Sequence, residues 1–214
     1  MKSWHLFLGL SIIGLITTYG IQTLFFTDAL LQQTFGGQIA HHQIQDMFAQ
    51  SKQWQWVGYV LIPFVIALRT LYSTLSIYTG LYLYDLPIGF GRIFRSALAA
   101  EFSFALSGVF KLLIAIFFKQ VETLADLQFQ PLSIMEIVNI ESVEALFLYP
   151  LSLLNLFELL YVLWVVQMVV KQVYRHHPES MNKRLYVGKV VLFSYVSGWL
   201  LWTLLVMFAT LNLT

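Results

Sequence analysis

Five stretches of this chain are each apolar over roughly the 20 residues needed to cross about 30 Å of hydrocarbon. They run from Trp4 to Phe25, from Trp54 to about Tyr84, from about Phe94 to Phe118, from about Phe147 to Val170 and from about Val187 to Leu211. The expected fold is therefore all-α, a polytopic membrane bundle of five transmembrane helices with short amphipathic surface helices. No internal repeat or linker interrupts it, so residues 1–214 read as one domain. Trp4, Trp54, Trp56 and Tyr84 fall near span ends, where amphipathic rings favour the headgroup layer. Only 11% of the residues are charged, against about a quarter in soluble domains. The first run could pass for a signal peptide, but it is long for an apolar h-region and leads into "TTYGIQTLFF" without a small-residue cleavage site. It reads as a retained first span.

The same composition removes several function classes. The chain has no cysteine, so disulfides, thiolate catalysis and cysteine-held metals are excluded. A formal net charge of +1 and the lack of a basic run leave nothing suited to a nucleic-acid backbone. No zinc-protease helix motif, nucleophile elbow, phosphate-cradling glycine loop or nucleophile–base spacing occurs. No catalytic residue and no cofactor is implied, and a non-enzyme is expected. The histidines fall as His41–His42, His176–His177 and His5. His42 and Asp46 stand one helical turn apart, but a third metal ligand is not evident, so these read as surface side chains.

Basic residues set the orientation. Lys2, Arg92, Arg95, Lys171, Arg175, Lys183, Arg184 and Lys189 fall on one side of the five spans, and only Lys52 and Lys119 on the other. The expectation is a cytoplasmic N-terminus and an external C-terminus. The external side collects Asp28, Asp46, Glu122, Asp126, Glu136, Glu141 and Glu144. Two connections there are longer than turns. In "QIAHHQIQDMFAQSKQ", Ala40, Ile44, Met47 and Phe48 share one helical face, which predicts a helix lying along the membrane surface. "LSIMEIVNIESVEAL" opens with Ser133 and Glu136 in capping-box spacing, which predicts a short helix lying back on the bundle.

Four ionisable residues lie well inside spans: Arg69, Glu101, Lys111 and Glu158. Each costs roughly 2.5–3.5 kcal/mol at a helix centre on insertion scales, so such groups seek partners. At about 1.5 Å per residue, measured from the external ends, Arg69 lies about 20 Å deep and Glu101 about 25 Å. On the same rise Lys111 is about 10 Å deep and Glu158 roughly 15 Å. Depth therefore predicts two pairs, Arg69 with Glu101 and Lys111 with Glu158. They serve as tethers fixing helix register, or alternatively as part of a proton or substrate path. Pro63 and Pro150 fall inside spans, where proline kinks a helix or simply reflects membrane composition.

Several stretches together resemble the Yip family of membrane proteins, interactors of trafficking GTPases. They are "VLIPFVIALRTLYSTLSIYTG", the loop-into-span stretch "FGRIFRSALAAEFSFAL", and "PLSLLNLFELLYVLWVVQMVV", with Glu158 where that family often has an aspartate. The resemblance implies a non-enzymatic membrane protein that acts through partners. The expected function is an adaptor or accessory subunit that binds and stabilises another membrane protein in the lipid bilayer. The alternative is a small permease or the membrane part of an export machine. Short loops suggest a bacterial inner membrane.

Overall fold

The computed structural model describes residues 3–37, 39–86, 88–136, 143–176 and 184–213, and these fold as helices joined by short connections. The helices are α1 (Ser3–Phe25), α2 (Asp28–Phe35), α3 (His41–Leu83), α4 (Phe90–Ala100), α5 (Phe102–Phe117), α6 (Ala145–Leu153), α7 (Leu156–His176) and α8 (Arg184–Leu213). Five helical units are long and apolar enough to cross a membrane: α1, α3, the α4–α5 unit, α7 and α8. The chain is an all-α bundle and is read as an integral membrane protein. The basic turns Lys2 and Lys183, the stretch His177–Ser180 and Glu141 lie outside the described residues.

The helix α3 differs from expectation at its start. It runs unbroken for 43 residues through Pro63, about 65 Å at the α-helical rise, roughly twice the hydrocarbon thickness. The stretch 41–53 is therefore the projecting end of a span rather than a separate helix on the membrane surface. Part of its apolar face is covered by protein, while Ala40 and Met47 stay exposed. Ile44 is buried, Leu30 and Leu31 of α2 are buried beside it, and Phe26 stacks on Phe48 at 6.1 Å. Thr27 caps α2 by accepting a hydrogen bond from the Leu30 N–H, the usual role of a hydroxyl at that position.

The fourth span also begins later than the hydropathy suggests. Helix α6 holds Pro150 and stops at Leu153, and α7 starts afresh at Leu156. The Asn155 side-chain oxygen accepts from the Glu158 N–H at 2.8 Å, capping the new helix. The joint is pinned by a short bridge, with Ile134 N–H donating to Leu154 O and Leu156 N–H to Leu132 O. Ile134–Glu136 thus form a 3-10 turn against this joint, while residues 137–142 of the anticipated cover helix lie outside the described residues.

Without a hydrophobic drive between helices in lipid, close backbone approach and interhelical hydrogen bonds must hold the bundle. Helices α3 and α8 achieve both with matching Ser-x-x-x-Gly segments running antiparallel. A Cβ built on Gly80 would fall 1.7 Å from Ser194 Oγ, and one on Gly198 would fall 2.2 Å from Ser76 Oγ. The Tyr72 hydroxyl then donates to Gly198 O at 2.7 Å, and its ring packs on Trp202. Below this contact, α3, α4, α7 and α8 close on a continuous core containing Ile77, Leu81, Ile93, Val165, Val169 and Val191. Helix α1 packs on α3 and α5 through Gly14 against Ile62, Thr17 against Gly108, and a Gln55–Gln22 hydrogen bond of 2.6 Å.

The reciprocal contact generates a stability prediction. Gly80→Ala and Gly198→Ala should each lower the melting midpoint in detergent, since overpacking typically costs about 1–3 kcal/mol. Pairing Gly80→Ala with Ser194→Gly, or Gly198→Ala with Ser76→Gly, should restore much of the loss. Strictly additive losses would show that these helices do not touch at these residues.

Candidate functional site

Arg69 and Glu101 meet as their depths predict. Arg69 Nε donates to both Glu101 oxygens at 3.0 Å, and Nη2 bonds Oε2 as well. The guanidinium lies flat over the Phe104 ring, 3.6 Å from its centre, where cation–π attraction adds to the ion pair. Glu101 sits at the single irregular residue between α4 and α5, where Phe104 N–H and Ala105 N–H both donate to its carbonyl. Its side chain is 1% exposed, whereas that of Arg69 is 39% exposed. The arginine therefore keeps one face open.

That face looks into a cleft of about 390 Å³ between α1, α3 and α5. Leu10, Gly14 and Thr17 line one wall, Gly58, Ile62 and Ile66 the second, and Phe104, Ala105 and Gly108 the third. Glycines and Thr17 make the space by keeping three helices from filling it. Arg69 and Glu101 form its floor, near the middle of the bundle, and the packed core lies beyond them. The walls are chiefly apolar and the floor is charged.

The second anticipated pair is not formed. Among the described residues the ion pairs are Arg69–Glu101 and Lys119–Asp126. The Glu158 carboxylate instead accepts a hydrogen bond of 2.5 Å from the Tyr195 hydroxyl of α8, within electrostatic range of Arg69 and Glu101. Lys111 turns the other way, its ammonium 5.5 Å from the centre of the Phe129 ring in the connection beyond α5. The physical reason is the break at Asn155. It places Glu158 in the first turn of α7, so counting its depth from residue 147 paired it with the wrong neighbour. The long lysine stem reaches the loop, as snorkelling side chains do near a span end.

Phe129 is shared by a second ammonium, that of Lys119 at 4.6 Å, which Asp126 approaches at 4.0 Å. The Asp126 carboxylate accepts from the Thr123 hydroxyl and from the N–H groups of Thr123 and Glu122. The Thr123 hydroxyl and backbone bonds hold its pKa below the usual aspartate value. Two further aromatics complete the central cluster without having been singled out by sequence. Tyr161 packs on Phe104 and Tyr195, and its fully buried hydroxyl approaches Ser73 without forming a hydrogen bond. Tyrosine is abundant here, so only the helical spacing of Glu158 and Tyr161 could have flagged it. Among the described residues no three His, Asp or Glu side chains gather in a metal-binding group.

No family model, curated protein or solved structure matches this chain. The reading of the site therefore rests on its own geometry.

Two measurements check this geometry. Arg69→Ala and Glu101→Ala should each cost about 3 kcal/mol, the lower end for breaking a buried pair because Arg69 keeps one open face, and the double change should cost less than the sum. Lys111→Ala and Glu158→Ala should by contrast add to within about 0.5 kcal/mol, and a marked coupling would restore the discarded pairing. The Asp126 turn should respond to acid. Its contribution is in place above the unfolded carboxyl value of about 3.9 and is lost as pH falls through the lower folded value. Protection of the Glu122 and Thr123 amides, corrected for the intrinsic pH dependence of exchange, should therefore fall in acid, and Asp126→Asn should remove that change.

Proposed function

We propose that this chain is a non-enzymatic accessory subunit, an adaptor that binds another integral membrane protein through the cleft between α1, α3 and α5. The observation carrying this reading is that the cleft is chiefly apolar, is lined by small residues such as Gly14, Gly58, Ala105 and Gly108, and carries the Arg69–Glu101 pair in its lining. A recess of this kind suits the side chains of a neighbouring helix, since small residues permit the close approach on which membrane helix association depends. The resemblance to Yip proteins belongs to the same reading. The basic residues Arg92, Arg95, Lys171, Arg175, Arg184 and Lys189 support a cytoplasmic location for their side of the bundle, and a bacterial inner membrane is the proposed setting.

One observation favours the second reading, a small permease. Glu158 holds no ion pair among the described residues, so the intramembrane charges do not balance pair by pair. The cleft also reaches Arg69, as a solute path would.

Gly58 lines the cleft and offers a direct test, because a Cβ there meets nothing nearer than Gln22 Nε2 at 3.9 Å. Gly58→Leu should fill the cleft without lowering the melting midpoint. It should also reduce co-purification of the partner in mild detergent by roughly tenfold, the equivalent of about 1.4 kcal/mol. Unchanged recovery would rule out the cleft as the docking surface. Saturable solute uptake by the isolated chain in liposomes, abolished by Arg69→Ala, would replace the adaptor with the permease. For orientation, Gln128→Cys should react with an impermeant label on intact cells and Gly91→Cys only after permeabilisation. The reverse pattern would invert the topology.

A further inference from the structure

Two carboxylates face one guanidinium at the centre of this bundle, and their hydrogen-bonding is incomplete. Glu101 commits both oxygens to Arg69. Glu158 accepts from Tyr195 at Oε1, while Oε2 takes no hydrogen bond from the described residues. Tyr161 is 0% exposed, its hydroxyl has no hydrogen-bond partner, and its charged neighbours are Glu101, Arg69 and Glu158. A buried hydroxyl left unpaired is uncommon in folded proteins and calls for an explanation such as a water or ion. With both carboxylates ionised the group carries one net negative charge, which is costly at this depth in a membrane.

We propose that Glu158, Tyr161 and Tyr195, beside the Arg69–Glu101 pair, form a binding site for one monovalent cation. Glu158 Oε2 and the Tyr161 oxygen are its two open acceptors. A single positive charge neutralises the group, whereas an anion would deepen the imbalance. A divalent ion would reverse the imbalance instead of cancelling it. A proton carried by the carboxylate and a sodium ion bound by it share this chemistry, and experiment can separate them. The groups facing the site are Arg69 and Ser73 from α3, Glu101 from the α4–α5 joint, Tyr161 on α7 and Tyr195 from α8. Lys111 of α5 is turned toward Phe129. The proposal holds whether the chain is an adaptor or a permease, since it concerns binding rather than transport.

The test is the melting midpoint of the purified full-length chain in detergent. Sodium is titrated at fixed pH against choline as the ionic-strength control, and pH is varied separately at fixed sodium. A ligand that binds only the folded state should raise the midpoint by roughly 5 °C at a hundredfold excess over its dissociation constant. A rise with sodium assigns the alkali cation, and a rise on acidification that Glu158→Gln lacks assigns the proton. Tyr161→Phe keeps the ring and removes only the unpaired hydroxyl. It should stabilise the cation-free protein and weaken the cation response several-fold, which provides a reading even if Glu158→Gln folds poorly. The proposal is overturned if neither titration moves the wild-type midpoint more than the choline control, or if Glu158→Gln or Tyr161→Phe responds as the wild type does.

Discussion

The ion pair between Arg69 and Glu101 is the constraint around which the bundle is arranged. A guanidinium or a carboxylate left alone among lipid tails is too costly to tolerate, so wherever α3 places Arg69, the third span must bring Glu101. That requirement fixes the sliding position of α3 against the α4–α5 unit. It also divides the molecule. On one side of the pair, four helices interdigitate around Ile77, Leu81, Ile93, Val165, Val169 and Val191. On the other, α1, α3 and α5 stand apart around the cleft. The single irregular residue of the third span is Glu101 itself, so helix geometry changes where the charge sits.

Helix α3 serves this arrangement with different faces. Tyr72, Ser76 and Gly80 meet α8, Arg69 meets Glu101, and Gln55 and Ile62 meet α1. The α8 contact is close because hydrogen atoms replace side chains at Gly80 and Gly198, which permits dense van der Waals packing where hydrophobic exclusion cannot act. The α1 contact is less extensive, with one amide–amide hydrogen bond and a close approach of Gly14 to Ile62. Helix α3 is thus gripped over more of its length by α8 than by α1.

Much of this was legible in the sequence, and the failures have a common cause. Hydropathy finds spans because lipid demands an uninterrupted apolar run, and depth along α3 and the third span correctly paired Arg69 with Glu101. The same arithmetic failed for Glu158 because hydropathy cannot see a break inside an apolar run. "YPLSLLNLFE" averages as apolar, yet Asn155 stops one helix and caps the next. The spacing from Asn155 to Glu158 was the available signal, since an N-cap followed three residues later by a glutamate marks a helix start. The projecting end of α3 was misread for a related reason. An amphipathic face at Ile44 and Phe48 announces burial but not what buries it, and the short helix α2 does so rather than the membrane. The Ser-x-x-x-Gly segments of α3 and α8 were visible as letters, but only the fold reveals that they oppose one another.

The uneven grip on α3 also bears on how such a molecule can move. A carrier must open each half of its bundle in turn, and helices that contact through Ser and Gly cannot part gradually. Separating α3 from α8 by about 0.5–1 Å forfeits roughly a quarter to a half of many small contacts at once. The core half would therefore have to break the Tyr72–Gly198 hydrogen bond and the glycine contacts together, leaving buried polar groups in lipid. Moving α1 is far less demanding, because Thr17 keeps its hydrogen bonds within its own helix and the Gln55–Gln22 bond can be replaced by headgroups or water. The less extensive contact is thus the one that borders the cleft. That arrangement suits the proposed adaptor better than an alternating carrier, because a neighbouring helix could enter beside α1 while the Arg69–Glu101 centre stays in place.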